Sequence, residues 1–506
     1  MTVVGSSTLK VPTQVPTQIP TQMPTNMAGL TITAILIAAL AAPAAVVPAG
    51  AQTAMWGFDG TRNMVTDAGP LPSSWNPETG EGILWSAGLG SQSYGGPLVF
   101  GDRIYVGTNN EAGRNPALKG DRGVLMAFGR SDGRFLWQST HTKLTAGRVN
   151  DWPLQGICST PYAEGDRLYY VSNKCELVCV DTEGFLDGEN DGPFISEKDT
   201  SAIDGDIVWK LDMIDELNVF PHNLATSSPV GAGNLIFLLT SNGVDEGHVA
   251  IPSPFAPSFI AVDKRTGELV WEDASPGMNI LHGQWSNPAY GSPGGRAQVI
   301  MPGGDGWVYS FDPETGAILW KFDLNPKDSV WRLGGRGTRN NIISSPVIDG
   351  DRVYIAVGQD PEHGEGVGHL YCIDATGTGD VTATGDLWHL GNDDFHRTMS
   401  TAAVRDGLLY IADLSGFVYC LDANTGEKLW THDTFAAIWG SAVVADGKVY
   451  IGNEDGEVTV FKEGRTLEVL AEIDMGSAVY TTPVPVDDVL YVVSRNRLFA
   501  ISGRQK

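Results

Sequence analysis

The chain has 506 residues, of which 42% are hydrophobic and 18% are charged, and its formal net charge is −27. This composition supports a large buried core and is too apolar for an intrinsically disordered protein. An acidic chain repels phosphate backbones, so nucleic-acid binding is not expected as its main task. Glycine (62 residues) and tryptophan (14) are frequent, which favours a β-rich fold with many tight turns over a coiled coil or a multi-span membrane protein.

The first part of the chain looks like a targeting region and not like a folded domain. Residues 1–26 contain a low-complexity Pro/Thr/Gln tract that cannot build a core, and Met27 is an alternative start. The apolar run 30–40 has the length of a signal-peptide core, and 49–51 form a small-x-small cleavage site. We therefore predict a signal peptide over 27–51. The alternative is an uncleaved membrane anchor.

One sequence unit recurs over the remaining residues, 52–506. It ends in a small residue, any residue, Asp, two variable residues, Thr-Gly, three variable residues and Trp, most clearly at 261–271, 310–320 and 420–430. The Asp carboxylate can accept backbone N–H groups in a turn, and glycine supplies a positive φ. The segment therefore predicts a β-hairpin whose second strand carries a large buried ring.

A second periodic feature marks the start of each unit, where a proline or alanine follows small or hydroxyl residues. These anchors are Pro97, Pro161, Pro229, Pro288, Pro346, Ala402, Ala442 and Pro483. Eight units with four strands each predict an all-β, eight-bladed β-propeller over 52–506, with tryptophan-docking motifs between the blades.

The two ends of this repeat region complement each other. The last unit stops near Ser502 and lacks the strand that would carry its Trp, whereas residues 76–85 repeat the missing half and closely match 312–320. We predict that this N-terminal strand completes the eighth blade and closes the ring.

The five cysteines do not form a disulfide framework. Cys179, Cys372 and Cys420 occupy equivalent repeat positions, which predicts small buried strand residues. Cys158 and Cys175 could pair in an oxidising compartment, and the sequence leaves that open.

The repeated motif resembles the tryptophan-docking motif of quinoprotein-like β-propellers, the superfamily of proteins that bind pyrroloquinoline quinone (PQQ) and their relatives. The resemblance covers residues 56–506. It implies the propeller fold, and it leaves the activity open because the superfamily includes PQQ-dependent dehydrogenases and non-enzymatic members such as the outer-membrane assembly factor BamB. No cysteine lies near the end of the apolar run, where BamB carries its lipid-anchor cysteine.

Candidate site residues lie in the connections between units. In a propeller, these connections and the loops between second and third strands share one face, so their side chains should converge at the channel mouth. The candidates are Trp152, Gln155, His222, His282, Trp285, Arg336, Arg339, Asn340, His396 and Arg397. The alternative is that these groups cap strands and satisfy buried backbone. The histidines lack metal-ligand spacing within one element, so no metal site is predicted.

The sequence favours an exported, periplasmic or cell-surface scaffold without catalytic residues or a cofactor, which binds an envelope protein or a small ligand on this face. Membrane association is expected only if the N-terminal apolar segment is uncleaved. The alternative is a PQQ- and Ca²⁺-dependent oxidoreductase with Arg339, Asn340 and Trp285 as cofactor contacts. The chain lacks the adjacent Cys-Cys pair that many alcohol dehydrogenases of the superfamily carry, and it lacks a Cys-x-x-Cys-His haem motif. A third hypothesis is a structural envelope protein with no discrete ligand.

Overall fold

A computed structural model describes residues 53–359, 362 and 367–504. The predicted low-complexity tract over 1–26 and the predicted signal peptide over 27–51 lie outside the described residues. Within the described ranges, no helix is both long and apolar enough to cross a membrane. The strands of this part of the chain form eight sheets, which confirms the predicted eight-bladed β-propeller.

The N-terminal strand, β1, spans Ile83–Gly88. The next strands form blades 1 to 4 in order, four to a blade: β2 (Leu98–Phe100), β3 (Arg103–Asn109), β4 (Arg122–Gly129), β5 (Phe135–Thr142); β6 (Tyr162–Glu164), β7 (Arg167–Val171), β8 (Glu176–Asp181), β9 (Ile207–Asp212); β10 (Val230–Ala232), β11 (Leu235–Leu239), β12 (Phe259–Asp263), β13 (Leu269–Asp273); and β14 (Ala289–Gly291), β15 (Gln298–Pro302), β16 (Trp307–Phe311), β17 (Ile318–Asp323).

Blades 5 to 8 follow: β18 (Val347–Asp349), β19 (Arg352–Gly358), β20 (Val367–Asp374), β22 (Asp386–His396); β23 (Ala403–Arg405), β24 (Leu408–Ala412), β25 (Phe417–Asp422), β26 (Lys428–Asp433); β27 (Val443–Ala445), β28 (Lys448–Gly452), β29 (Glu457–Lys462), β30 (Val469–Asp474); and β31 (Val484–Val486), β32 (Val489–Ser494), β33 (Arg497–Ser502). A short strand, β21 (Gly379–Asp380), pairs in parallel with β17 of the neighbouring blade. The first strands lie nearest the axis, where first strands of adjacent blades contact one another, as β10 and β14, β14 and β18, and β23 and β27 do.

Helical structure in the described ranges is short. It consists of α1 (Met213–Leu217) and the 3-10 turns Asn110–Ala112, Gly147–Val149, Gly184–Leu186, Gly277–Asn279, Pro293–Gly295 and Leu333–Gly335.

The N-terminal strand closes the ring as predicted. Strand β1 pairs antiparallel with β33, with Trp85 opposite Ala500. The eighth sheet therefore has the order β1-β33-β32-β31. The first and last described strands are thus hydrogen-bonded in one blade.

The repeated Trp joins six of the eight described blades directly to the next blade. The indole nitrogen of Trp209 donates to the carbonyl of Lys264 at 3.1 Å, and Lys264 lies in the hairpin turn of the following blade. In that turn, a Cβ atom at Gly267 would lie 2.5 Å from the Trp209 ring, and the residue has a φ of +77°. The Thr-Gly turn of one motif and the Trp of the preceding motif therefore form the two sides of one interface between blades. The same indole-to-carbonyl hydrogen bond recurs between Trp430 and Gly464.

Two blade junctions depart from this pattern. In blade 4, the indole of Trp320 donates to Gln298 Oε1 at 2.7 Å, and Gln298 Nε2 donates to the Ala375 carbonyl of blade 5 at 3.0 Å. In blade 7, Ala471 stands where the other outer strands carry Trp, opposite a residue of the third strand. There Trp75, which precedes β1, packs into the hydrophobic cluster shared by blades 7 and 8.

The small and hydroxyl residues before the anchors link adjacent blades around the axis. Their hydrogen bonds form the pairs Ser159–Ser227, Thr160–Ser228, Asn287–Ser345, Ser344–Ser400, Thr401–Ser441 and Ser441–Thr482. All of these residues are buried or half-buried. The hydroxyls therefore satisfy backbone groups that the close approach of eight first strands would otherwise leave without partners.

Residues 53–66 run along the first strands of successive blades. Their backbone hydrogen bonds reach five blades, in the pairs Thr53–Val99, Ala54–Ala163, Gly60–Tyr290, Thr61–Ile348 and Thr66–Val444. The Asn63 amide reaches a sixth, because it bonds both backbone groups of Val404. We call residues 53–66 the axial segment.

All five cysteines are free. Cys179, Cys372 and Cys420 are buried strand residues, as predicted. Cys158 and Cys175 are not paired with each other, and burial raises the pKa of the Cys158 thiol to about 12.

Candidate functional site

A pocket of about 400 Å³ lies on the propeller axis, and every blade contributes to it. In each unit the residue three positions before the anchor lines this axial pocket. These residues are Tyr94, Cys158, Thr226, Trp285, Ile343, Met399, Trp439 and Tyr480. The repeat therefore places one side chain per blade around the axis, and the chemistry of the pocket depends on this single position.

Aromatic rings form much of the pocket wall. Tyr94 and Tyr480 stack with their ring centroids 4.8 Å apart, and Trp439 lies 5.8 Å from Tyr480 in an edge-on arrangement. Trp152 and Trp285 line the pocket from blades 2 to 4. Burial raises the pKa of the Tyr94 hydroxyl, so this phenol stays neutral. The wall offers several flat apolar surfaces, each with a polar group at its edge.

The axial segment supplies a further ring, Trp56, which lines the same pocket. Arg62 holds this part of the segment, because its fully buried guanidinium donates to the carbonyls of Trp56 and Pro288 at 2.6 and 2.7 Å. It also donates to the carbonyls of Ser228 and Pro229 at 2.7 and 3.0 Å. Burial lowers the pKa of Arg62 to about 9, so the group remains charged at neutral pH.

The charge of the pocket lining is negative. Among the described lining residues, Glu362 is the one carboxylate, and none is Lys, Arg or His. Glu362 Oε1 accepts a hydrogen bond of 2.9 Å from Asn223 Nδ2, and Asn223 also lines the pocket. An anionic ligand would therefore meet a carboxylate without a compensating cation in the described lining.

The structure brings five of the ten predicted site residues to this region. Trp152, Gln155 and Trp285 line the pocket. His222 and His282 pack behind Trp285, with ring centroids 6.1 and 5.1 Å from the indole, and the Trp285 indole donates to the His222 carbonyl at 3.0 Å.

The other predicted residues do not belong to the described pocket lining. Arg339 is paired with both carboxylate oxygens of Asp323, at 3.0 and 2.8 Å. The Asn340 backbone exchanges two hydrogen bonds with the Asn325 side chain. Both residues thus make local contacts that satisfy charged or backbone groups. This is the alternative to a ligand site that the sequence analysis named.

The remaining three make local contacts as well. His396 Nδ1 lies 2.9 Å from Asp413 Oδ2. Arg336 donates to the Gly247 carbonyl at 3.3 Å. Arg397 lies against the backbone of Gly358, since a Cβ atom there would be 2.6 Å from the Arg397 Cα atom.

Sequence reasoning missed two groups of residues near the pocket. The first is the ring of aromatic side chains at Tyr94, Trp439 and Tyr480, which the fixed offset of three residues from each anchor would have identified. The second is His248 and Glu362, which lie in loops of unequal length with no periodic feature.

A family model described as outer membrane protein assembly factor BamB matches residues 304–384 and 378–505. BamB of Yersinia pestis is 20% identical over a segment covering 58% of this chain and 66% of that protein. The dehydrogenase subunit of a quinone-dependent alcohol dehydrogenase from Gluconacetobacter polyoxogenes is 29% identical, over 37% of this chain and 32% of that protein. The match therefore spans about two thirds of the first relative and one third of the second.

Solved structures of both kinds share the fold. BamB from Moraxella catarrhalis superposes with a TM-score of 0.51 and 15% identity, covering 83% of this chain and 97% of that one. A europium-containing methanol dehydrogenase gives a TM-score of 0.57 and 14% identity, covering 89% and 98%. The repeats, the eight four-stranded sheets and these similarities give the chain the fold of a PQQ-like β-propeller, and its residues 304–505 match the BamB family model.

Proposed function

We propose that the protein is an exported, non-catalytic scaffold that binds an envelope protein or a small ligand through its axial pocket. The chemistry of the pocket lining carries this proposal. Aromatic faces surround the axis, and one carboxylate lies among them without Lys or Arg in the described lining. Such a lining favours a neutral or cationic group with an apolar body.

A pair of matched probes tests this preference. Benzyltrimethylammonium should quench the tryptophan fluorescence saturably, whereas benzenesulfonate, of similar size and opposite charge, should not. Trp439→Ala should weaken binding of the cation about tenfold or more, since it removes one aromatic face. Trp331→Ala is the control, because Trp331 is exposed and is not part of the described lining. Equal binding of both probes, or equal losses in the two variants, would contradict the proposal.

The relatives support a role in the cell envelope, since two of them are named outer membrane protein assembly factors. Export follows from the predicted signal peptide over 27–51. Mass analysis of the native protein should find a mature chain that begins at Gln52. Peptides from residues 1–26 in the mature protein would refute this processing.

The second candidate is a PQQ- and Ca²⁺-dependent oxidoreductase, which the quinone-dependent dehydrogenase relatives favour. PQQ carries three carboxylates and needs cationic or hydrogen-bonding partners for them. Of the three residues considered for this role, only Trp285 lines the pocket, while Arg339 is occupied by Asp323 and the Asn340 backbone by Asn325. The described lining therefore supplies hydroxyl and amide groups but no Lys, Arg or His for the three carboxylates, and it adds the carboxylate of Glu362, so it fits PQQ poorly.

Titration of the purified protein with PQQ in the presence of Ca²⁺ distinguishes the two candidates. We expect no saturable change in absorbance and no rise in melting temperature. Saturable binding in the micromolar range would refute the scaffold and support the oxidoreductase.

A further inference from the structure

Four side chains from separate loops meet at the edge of the axial pocket. His222 lies between α1 and β10, His248 between β11 and β12, His282 between β13 and β14, and Glu362 between β19 and β20. One nitrogen or oxygen atom from each lies within 4.8 Å of those of the other three. We call these four residues the histidine cluster.

We propose that the histidine cluster binds a divalent transition-metal ion, with Zn²⁺ as the best fit. This departs from the sequence expectation of no metal site, which considered spacing within single elements only. The proposal does not rest on the function proposed for the axial pocket, but a bound ion would neutralise the carboxylate of Glu362, so the probe titration of the pocket uses chelator-treated protein.

The spacing of the donor atoms fits tetrahedral coordination. His282 Nε2 lies 3.2 Å from His248 Nε2 and 3.5 Å from Glu362 Oε2. A tetrahedron with metal–ligand bonds of about 2.0–2.1 Å has edges of about 3.3–3.4 Å. The rings of His222 and His282 are also close, with centroids 4.4 Å apart.

Neighbouring groups orient two of the ligands. His222 Nδ1 lies 2.7 Å from the Val244 carbonyl, which requires the proton on Nδ1 and leaves Nε2 as the ligand atom. Glu362 Oε1 accepts from Asn223, so that Oε2 faces His282. Hydrogen bonds of this kind, from the second imidazole nitrogen and to the second carboxylate oxygen, are typical around metal ligands.

The loops that carry the histidines are fixed before any ion binds. Asp245 Oδ1 accepts from the backbone N–H groups of Val249 and Ala250 at 2.8 and 2.9 Å, which closes the turn around His248. The Val244 N–H donates to the His282 carbonyl at 3.0 Å and so ties that turn to the next blade junction. Rigid placement of this kind lowers the ordering cost of metal binding.

The donor set selects the class of metal. His222 and His282 are at most 1% exposed, and neutral imidazole is a ligand for Zn²⁺, Cu²⁺, Fe²⁺ and Ni²⁺. Ca²⁺ and Mg²⁺ prefer a shell of oxygen atoms. Since Glu362 also lines the pocket, the bound ion fixes one of its walls.

Co²⁺ titration of chelator-treated full-length protein tests the site directly. We expect one equivalent to bind with the intense visible bands of tetrahedral cobalt, Zn²⁺ to displace it, and Zn²⁺ to raise the melting temperature. A hundredfold excess of Ca²⁺ should not displace the cobalt. If cobalt gives no tetrahedral spectrum and Zn²⁺ does not shift the melting temperature, the proposal is wrong.

Two variants and a control locate the ion. Glu362→Gln should fold normally, because Glu362 is partly exposed, and should weaken Co²⁺ binding about tenfold or more. His282→Gln should abolish the tetrahedral spectrum. The control is His432→Gln on β26, a histidine outside the cluster whose loss should leave affinity unchanged. Parent-like binding in both cluster variants would refute the assignment. Trp439→Ala should retain cobalt binding, which separates a failed metal site from a failed pocket.

Discussion

At the scale of single residues, Gln298 bridges a junction at which the Trp indole of one blade does not bond the carbonyl of the next blade directly. It is fully buried, and its amide links the Trp320 indole of blade 4 to the Ala375 carbonyl of blade 5. Its oxygen also accepts from Ser310 Oγ at 2.7 Å. In other junctions the indole donates directly to a carbonyl of the next blade. In this junction the Gln298 amide bridges the Trp320 indole and that carbonyl.

Gln298→Leu should lower the free energy of unfolding by about 2–4 kcal/mol, because several buried polar groups lose their partner. Urea denaturation measures the change. Trp320→Phe removes the indole N–H but keeps an aromatic ring, so the double variant should lose less than the sum of the two single variants. If the losses of unfolding free energy in the two single variants added up exactly in the double variant, the Gln298 amide and the Trp320 indole would not be energetically coupled.

Asp305 makes a residue-scale prediction about pH. Burial raises the pKa of its carboxyl to about 6, although the Tyr309 hydroxyl donates to it. Because the folded pKa lies above the unfolded one, ionisation disfavours the folded state, and this group's contribution to stability falls as pH rises from about 4 to 6. The difference between the folded and unfolded pKa of Asp305 corresponds to about 3 kcal/mol.

Asp305→Asn should remove that dependence. Relative to the parent, the variant should gain about 3 kcal/mol of stability between pH 4 and pH 7. Urea denaturation at both pH values measures the difference, and a difference that stays constant with pH would show that Asp305 ionises normally in the folded protein.

At the scale of elements, the outer strands of the blades contribute unequally because their Trp residues differ in burial. Trp137 on β5 is fully buried, whereas Trp85 on β1 is half-buried. Both indoles donate to a carbonyl in the connection between the third and fourth strands of the next blade, to Thr182 at 3.2 Å and to Arg130 at 3.1 Å.

Trp137→Ala should therefore cost about 3–5 kcal/mol, as large-to-small changes in a core do, and Trp85→Ala should cost less. Denaturant unfolding of both variants ranks them. If Trp85→Ala were as stable as the parent, β1 would contribute nothing to the closure of the ring.

Deletion of residues 53–88 makes a separate prediction for the element itself. It removes the axial segment and β1, and it leaves β33 as an open edge with an apolar blade behind it. Such an edge favours association between molecules, so the truncated protein should aggregate in light scattering. A monomeric truncated protein would contradict the role of β1.

The elements also show which features the sequence could predict. Hairpins, outer-strand Trp residues and ring closure follow from motifs that span about ten residues and repeat, so the sequence predicted them. The substitution of Trp75 for a docking Trp at Ala471 could not be predicted, because Trp75 lies 396 positions away in the chain and outside any repeat. The meeting of His248 and Glu362 with His222 and His282 depends on the paths of loops that differ from blade to blade.

At the scale of the whole molecule, the axial segment connects blades that do not otherwise touch. Arg62 donates to carbonyls of blades 3 and 4 and of its own segment. A single buried guanidinium thus satisfies four carbonyl groups on the axis, and its charge is stabilised by their dipoles.

Arg62→Met should lower the free energy of unfolding by about 3 kcal/mol or more, because four buried carbonyls lose their donor. The same variant should weaken binding of benzyltrimethylammonium, since Arg62 holds the backbone of Trp56. Lys at this position has fewer donors and should restore the stability only in part. Thermal and urea unfolding together with the probe titration check these outcomes.

The position of the axial segment has a consequence for biosynthesis. Residues 53–88 leave the ribosome before every blade that they contact, yet β1 pairs with β33, which follows all the other described strands in the chain. Until β33 emerges, β1 has no strand to pair with, and the eighth sheet cannot form. The ring therefore closes only after β33, the last of the described strands, has been synthesised.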